Sequence, residues 1–181
     1  MRVVDLGGDM RSWRLSGLRP AELVVVNLDE QDVHEPWAHS ISADACDLPR
    51  SLLERRFDLV FSNSVIEHVG GHERRRRFAE SVHALAPHMW VQTPYRYFPI
   101  EPHWLFPGLQ WLPVASRVAI SRRWPLGHFT PEKSPDGPRD VLRDVLEIEL
   151  LSRSEMAYYF PDAEIWSERM LGLAKSLVAV R

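Results

Sequence analysis

Short apolar runs that alternate with polar, helix-like stretches constrain the fold of this chain more than any other feature. Five such runs, at residues 2–6, 23–28, 40–43, 57–61 and 88–92, occupy the first half of the sequence. The second run is apolar and β-branched enough for a strand that is buried on both faces. Because strands that alternate with crossover segments build βαβ units, the pattern predicts a mainly parallel sheet covered by helices.

The end of the chain departs from this alternation. Residues 72–86 have the clearest helical spacing, but the last two apolar runs, 163–169 and 175–180, are separated only by a short turn at Gly172. A parallel crossover needs a longer connection, so these two runs predict an antiparallel hairpin. We therefore expect an α/β, Rossmann-like fold in one domain over residues 1–181, with a seven-stranded, mainly parallel sheet and an antiparallel closing hairpin.

A segment rich in aromatic residues and proline follows the fifth run. Seven of the 18 aromatic residues lie between Trp90 and Trp111, and six of the 14 prolines fall in the same neighbourhood. Proline at this density opposes helices and central strands. We predict residues 94–140 to be an irregular insertion, which either packs as a loop over the core or forms a lid and the wall of an acceptor pocket.

Composition excludes several classes of function. A formal net charge of -3 argues against a nucleic-acid protein with a basic surface, and a single cysteine excludes a disulfide framework or a cysteine-based zinc cluster. No apolar run approaches the ~18 residues of a membrane span, and the N-terminal apolar stretch is too short for a signal peptide. We expect a cytoplasmic protein with neither a nucleic-acid partner nor a membrane span.

Glycines and acidic residues lie where a parallel sheet binds its ligands, beyond the carboxyl ends of the strands. The turn after the first strand reads Asp5-Leu6-Gly7-Gly8, which is not the GxGxxG pattern of dinucleotide enzymes. Asp29 follows the second strand at the distance of a ribose-binding acid, and Asp44 follows the third. Each acid alone is more often a solvated loop residue. Together, at three successive strand ends, they favour a bound ligand with ribose and adenine groups.

These motifs resemble those of the class I S-adenosylmethionine-dependent methyltransferases. The likeness runs through residues 3–8, 27–29, 43–45 and 57–69, and the last string, FDLVFSNSVIEHV, is the most specific. The segment 93–104 is similar to a subgroup that methylates small molecules or glycans. The resemblance implies transfer of a methyl group from S-adenosylmethionine to a small-molecule or sugar acceptor, with oxygen favoured over nitrogen or carbon.

The resemblance also implies a set of donor-binding residues. Residues that follow the first and fourth strands would contact the methionine part of the donor. Residues after the second strand would contact its ribose, and residues after the third strand would contact its adenine. The expected cofactor-binding residues are Asp5, Gly7, Gly8, Asn27, Asp29, Asp44, Ala45, Ser62 and Asn63.

Two histidines and an acid are the candidate catalytic residues. His103 is the first choice for the general base that takes a proton from an acceptor hydroxyl, with His68 as the second choice and Glu101 as a polar partner. The alternative is that His103 only holds its loop in place. Some relatives bind a divalent ion near a Glu-His pair such as Glu67-His68, but orientation of the loop after the fourth strand is favoured, and we expect no metal.

Two departures from the family pattern leave other functions open. Asp9-Met10 replaces the usual third glycine, and the chain begins at the first strand, where relatives have further helices. We therefore expect an open donor site of weak affinity, or one completed by a homodimer or a partner subunit. The alternative function is a non-catalytic module that stabilises a partner enzyme. A nicotinamide-dependent oxidoreductase is disfavoured by the absent GxGxxG.

Overall fold

The centre of the computed structural model, which describes residues 1–128 and 140–181, is a twisted seven-stranded sheet. The strands of these residues are β1 (Arg2–Leu6), β2 (Glu22–Asn27), β3 (Ala38–Ser42), β4 (Leu59–Asn63), β5 (His88–Pro94), β6 (Ile100–Glu101), β7 (Phe106–Pro107), β8 (Glu164–Met170) and β9 (Leu173–Val180). The sheet order is β3-β2-β1-β4-β5-β9-β8, with β1 to β5 parallel and β9 antiparallel to both of its neighbours. The predicted fold class is therefore confirmed.

Helices connect and cover these strands. They are α1 (Met10–Ser16), α2 (Arg50–Leu53), α3 (His72–Leu85), α4 (Val114–Ser121), α5 (Val141–Glu147) and α6 (Arg153–Tyr159), with a 3-10 turn at Leu109–Trp111. Helix α3 ends where the sequence predicts, and α6 begins at a capping box between Ser152 and Glu155. None of the helices in the described residues is long and apolar enough to cross a membrane.

Side chains that alternate along the strands build a core on each face of the sheet. On one face Val4 packs with Phe78 of α3 and with residues of α2 and α6. On the other face Val3 packs with Met10 of α1. The two cores hold the carboxyl ends of β1 to β4 at one edge, and the loops that follow these strands therefore meet there.

The aromatic segment has a small core of its own. Trp104 is 1% exposed and packs with Leu109 and with residues of α4 and α5. The predicted irregular backbone gives way to helix α4, because no proline follows Pro113 until Pro125. Residues 129–139 of the predicted insertion lie outside the described residues.

Candidate active site

The turn between β1 and α1 leaves no room for side chains at its two glycines. Gly7 has φ +79°, and a Cβ there would lie 2.5 Å from a methyl carbon of Val65. A Cβ on Gly8 would lie 1.8 Å from the carboxylate of Asp5. The backbone N–H of Gly7 donates to the carbonyl oxygen of Val26 at 2.7 Å, which ties the turn to β2. Both positions therefore require glycine, because the Val65 and Asp5 side chains lie against the backbone of the turn.

Asp5 lies beneath this turn, almost out of solvent. The residue is 2% exposed, and one carboxylate oxygen accepts a hydrogen bond from the indole N–H of Trp13 at 2.6 Å. The other oxygen, Oδ1, is buried, and no described residue forms a hydrogen bond with it. Burial raises the pKa of Asp5 to about 7, although the Trp13 hydrogen bond lowers it. A cation at the turn would stabilise the ionised form.

A cavity of about 220 Å³ opens where β1 to β4 end. It brings together five of the residues predicted from the sequence: Gly7, Asn27, Asp44, Ala45 and His68. The amide of Asn27 also braces the glycine turn, because its Nδ2 donates to the carbonyl oxygen of Gly8 at 2.9 Å. The cavity lies at the edge where a doubly wound sheet binds ligands.

An ion pair closes one side of this cavity. Asp44 accepts a hydrogen bond from the backbone N–H of Cys46 and pairs with the Arg74 guanidinium at 2.8 Å. Partial burial acts to raise the pKa of Asp44, but the Arg74 hydrogen bond lowers it below its usual range. The sequence favours a solvated face for Arg74 over a phosphate-binding role, because it begins a run of four arginines at the start of a helix; its ion pair with Asp44 was not predicted.

The remaining predicted donor residues do not line this cavity. Asp29 is exposed, and the hydroxyl of Ser62 is buried and donates to the carbonyl oxygen of Leu6. Asn63 lines a larger cavity of about 620 Å³ on the other side of the glycine turn, together with Asp5 and Gly8. Gly7 lines both cavities, so the turn separates two adjoining spaces.

The loop after β4 carries a residue in an unusual backbone conformation. Ser64 has φ 57°, which is uncommon for a residue other than glycine. Its backbone N–H donates to the carbonyl oxygen of Gln92, and its hydroxyl donates to the Gln92 side chain at 2.9 Å. These bonds to β5 hold the strained residue in place and fix the position of the Glu67-His68 pair that follows.

Two histidines meet at the end of this loop. The Nε2 atoms of His68 and His103 lie 3.0 Å apart, and their rings are nearly perpendicular. His103 is buried, and its Nδ1 lies 2.7 Å from a carboxylate oxygen of Glu101. The other oxygen of Glu101 accepts the backbone N–H of Trp104. The three residues predicted as catalytic from the sequence are thus in contact with one another.

Glu67 lies beside this histidine pair. It has no exposed surface, and its Oε2 accepts a hydrogen bond from the Thr93 hydroxyl at 2.8 Å. Its Oε1 is buried and has no hydrogen-bond partner among the described residues. Burial raises the pKa of Glu67 to about 7.

The histidine pair lies at the margin of the 220 Å³ cavity at the strand ends, which we call the donor-side cavity. His68 lines that cavity and is partly exposed, whereas His103 lies behind it. Burial of the ring, with a further contribution from His103, lowers the pKa of His68 to about 4. The imidazole of His68 is therefore neutral near pH 7, and its lowered pKa makes it a weak base.

Comparison with known proteins finds a family match over part of the chain. Residues 9–91 match the family model described as a methyltransferase domain. A search of curated proteins finds no match to the chain.

Solved structures share the fold at low sequence identity. A SAM-dependent methyltransferase from Anabaena variabilis is 11% identical with a TM-score of 0.62, over 99% of this chain and 76% of that one. A chain of the complex between the Haloferax volcanii Trm112 methyltransferase activator and a methyltransferase is 14% identical with a TM-score of 0.57, over 99% and 80%. The DhpI–SAM–HEP complex is 15% identical with a TM-score of 0.56, over 99% and 77%. Residues 9–91 thus match a methyltransferase domain, and nearly the whole chain shares its fold with S-adenosylmethionine-dependent methyltransferases.

Proposed function

We propose that the protein transfers the methyl group of S-adenosylmethionine to a hydroxyl oxygen of a small, polar acceptor, a small molecule or a sugar. One observation carries this proposal: His68 both lines the cavity at the strand ends and contacts the buried His103–Glu101 pair. A base therefore adjoins the place where the fold binds its donor. When bound, S-adenosylmethionine supplies an electrophilic methyl group.

The residues of the glycine turn suit a cationic donor. The unpartnered oxygen of Asp5 offers a buried negative charge, and the absence of side chains at Gly7 and Gly8 allows close approach to the backbone. On the other side of the turn, Asp44 and Ala45 line the cavity expected to take the adenine end. Asp29 would reach the ribose hydroxyls from its exposed position after β2.

On the acceptor side, the geometry favours His68 over His103 as the base. As the acceptor oxygen forms its bond to the methyl carbon, the hydroxyl proton has to leave. His68 lines the cavity, so its imidazole takes this proton, while His103 orients the ring and the Glu101 carboxylate stabilises its charge. His103 is therefore a positioning residue in this scheme.

A second, polar cavity adjoins Glu101. It measures about 150 Å³ and is lined by Arg96, Glu101, Gln110 and Arg117, among others. The side-chain oxygen of Gln110 and the Nε of Arg117 are buried, and neither has a hydrogen-bond partner in the part of the chain that the structure describes. Polar groups of this kind suit an acceptor rich in oxygen.

Calorimetry with S-adenosylmethionine is the first test of the proposed function. The wild-type chain should bind the donor, and Asp29→Ala should weaken binding by about 1–3 kcal/mol, since ribose hydroxyls would lose their partner. Asp47→Ala is the matched control, because Asp47 is as exposed as Asp29 but is not among the residues expected to contact the donor. Absence of both binding heat and thermal shift at millimolar donor would leave the non-catalytic module as the function.

Turnover tests the proposed base. With a panel of hydroxylated acceptors and S-adenosylhomocysteine as the measured product, His68→Ala should lower kcat by about 10²–10⁴-fold with donor affinity nearly unchanged. His34→Ala is the control, because His34 is exposed and is far from His68 in the sequence. Normal turnover by His68→Ala would remove it from the mechanism.

The non-catalytic module remains the second candidate, and one feature favours it. The 620 Å³ cavity is lined largely by apolar side chains of β1, β4 and α1, such as Val3, Phe61 and Trp13. One structural neighbour is in a complex with a methyltransferase activator. A homodimer or a partner subunit would cover this cavity, and size-exclusion chromatography with light scattering measures the oligomeric state.

A further inference from the structure

We propose that Glu67, His68 and His103 form a binding site for one divalent transition-metal ion. Each of the three offers a ligand atom, and these atoms all lie within 4.8 Å of one another. Two imidazole nitrogens and one carboxylate oxygen are a common ligand set for such ions. Ion binding is measurable without donor or acceptor, so the test does not depend on methyl transfer. A neutral imidazole has one lone pair, so an ion-bound His68 would be a ligand, and the ion would replace it in activating the acceptor hydroxyl.

The two imidazoles already have nearly the geometry of a metal site. Two nitrogens at about 2.0–2.1 Å from a tetrahedral Zn²⁺ ion lie roughly 3.3 Å apart. The Nε2 atoms of His68 and His103 are 3.0 Å apart, and their rings are nearly perpendicular. A shift of a few tenths of an ångström therefore opens the space that an ion needs between them.

Hydrogen bonds behind the ligands hold them in the orientation that metal binding requires. The Nδ1 of His103 lies 2.7 Å from a Glu101 carboxylate oxygen, so its Nε2 is the nitrogen that can bind an ion. Such carboxylate–histidine pairs orient the ring and increase the basicity of the ligand nitrogen. The Thr93 hydroxyl fixes Oε2 of Glu67 in the same way.

A hydrogen-bonded chain without metal is the competing explanation. A proton between the two Nε2 atoms would account for the contact between His68 and His103. It would leave Glu67 unexplained, since this carboxylate has no exposed surface and its Oε1 has no hydrogen-bond partner among residues 1–128 and 140–181. Isolated buried carboxylates are costly, and a cation shared with the two imidazoles supplies the missing partner.

The ligand set also selects among ions. Two nitrogens and one carboxylate suit Zn²⁺, Fe²⁺, Co²⁺ or Mn²⁺, whereas Mg²⁺ and Ca²⁺ prefer oxygen ligands alone. Three protein ligands leave a further coordination position for water or an oxygen of the acceptor. Since His68 lines the donor-side cavity, an ion here would lie at its margin and increase the acidity of a bound hydroxyl.

The test is a titration of the full chain after treatment with a chelator. Co²⁺ is followed by its visible absorption and Zn²⁺ by calorimetry, with Mg²⁺ as the comparison ion. We expect one Co²⁺ or Zn²⁺ per chain and no comparable binding of Mg²⁺. His68→Ala and Glu67→Gln should each weaken binding by at least about 100-fold, and Glu101→Gln by about 10–100-fold.

Matched variants separate this site from adventitious binding at surface histidines. His34→Ala removes an exposed histidine outside the cluster and should leave the affinity unchanged. His68 is itself partly exposed, so His68→Ala keeps the test valid if Glu67→Gln fails to fold. Equal affinity of wild type and His68→Ala, or no binding at one ion per chain, would overturn the proposal and establish the hydrogen-bonded chain.

Discussion

Replacement of Asp5 by asparagine should change the pH dependence of stability. Because burial raises the pKa of Asp5 to about 7, the folded protein retains a proton that the unfolded chain releases near pH 4. The contribution of Asp5 to the free energy of unfolding of the wild type is therefore fully present below about pH 4 and is lost as the pH rises towards 7. The loss is about 1.4 kcal/mol per pH unit, or about 4 kcal/mol in total at pH 8. The neutral asparagine has no such loss.

Urea unfolding of wild type and Asp5→Asn at pH 5 and pH 8 measures this effect. The stability of the variant relative to wild type should increase by about 3 kcal/mol between the two values, because most of the titration lies in that range. Asp9→Asn is the matched control, since its half-buried side chain caps α1 through Ser12 and asparagine caps as well. A stability difference between wild type and Asp5→Asn that does not change with pH would refute the burial argument.

Three further predictions follow from the same parts of the structure. Gly8→Ala should destabilise the protein by about 1–3 kcal/mol and abolish donor binding, because its Cβ would overlap the Asp5 carboxylate. Gly71→Ala, where a Cβ meets open space, should have little effect in the same urea and calorimetry experiments. Ser152→Ala should cost about 1 kcal/mol in thermal unfolding, since it removes the capping box of α6, whereas Ser154→Ala, within the same helix, should cost less. The affinity for S-adenosylmethionine, measured by calorimetry, should rise from pH 5 to 7 and level off above pH 7, because a cationic donor favours the ionised form of Asp5. The affinity of Asp5→Asn should not change with pH in this way.

The sheet was predictable because each strand is a local apolar run with its own boundaries. Helix α1 was not, because its seven residues contain one buried residue, Met10, and no apolar periodicity. Asp9 was interpreted only as a departure from the family's glycine pattern. In the structure it is the N-cap of α1, accepting the backbone N–H of Ser12 at 2.9 Å. A short polar helix after a turn therefore has little signal beyond its cap.

The aromatic segment shows a different limit of sequence reasoning. Its composition indicates a stiff stretch with large apolar groups, but composition does not say what they pack against. Trp104 packs with Leu109 and with Val145 of α5, 41 residues further along the chain. Contacts at such separation depend on the tertiary fold. A packed core and a pocket wall thus have the same sequence signature.

The cluster around Glu67 depends on strand register, which sequence alone does not give. The parallel pairing of β4 with β5 sets Asn63 beside Gln92, so the next residue, Thr93, has its side chain on the face where Glu67 lies. A shift of one residue would turn Thr93 to the other face of the sheet and remove the hydrogen bond to Glu67. The Glu67-His68 pair is visible in the sequence as two adjacent residues. Its buried, partly unpartnered carboxylate results from this pairing of strands, and only the folded chain joins it to His103.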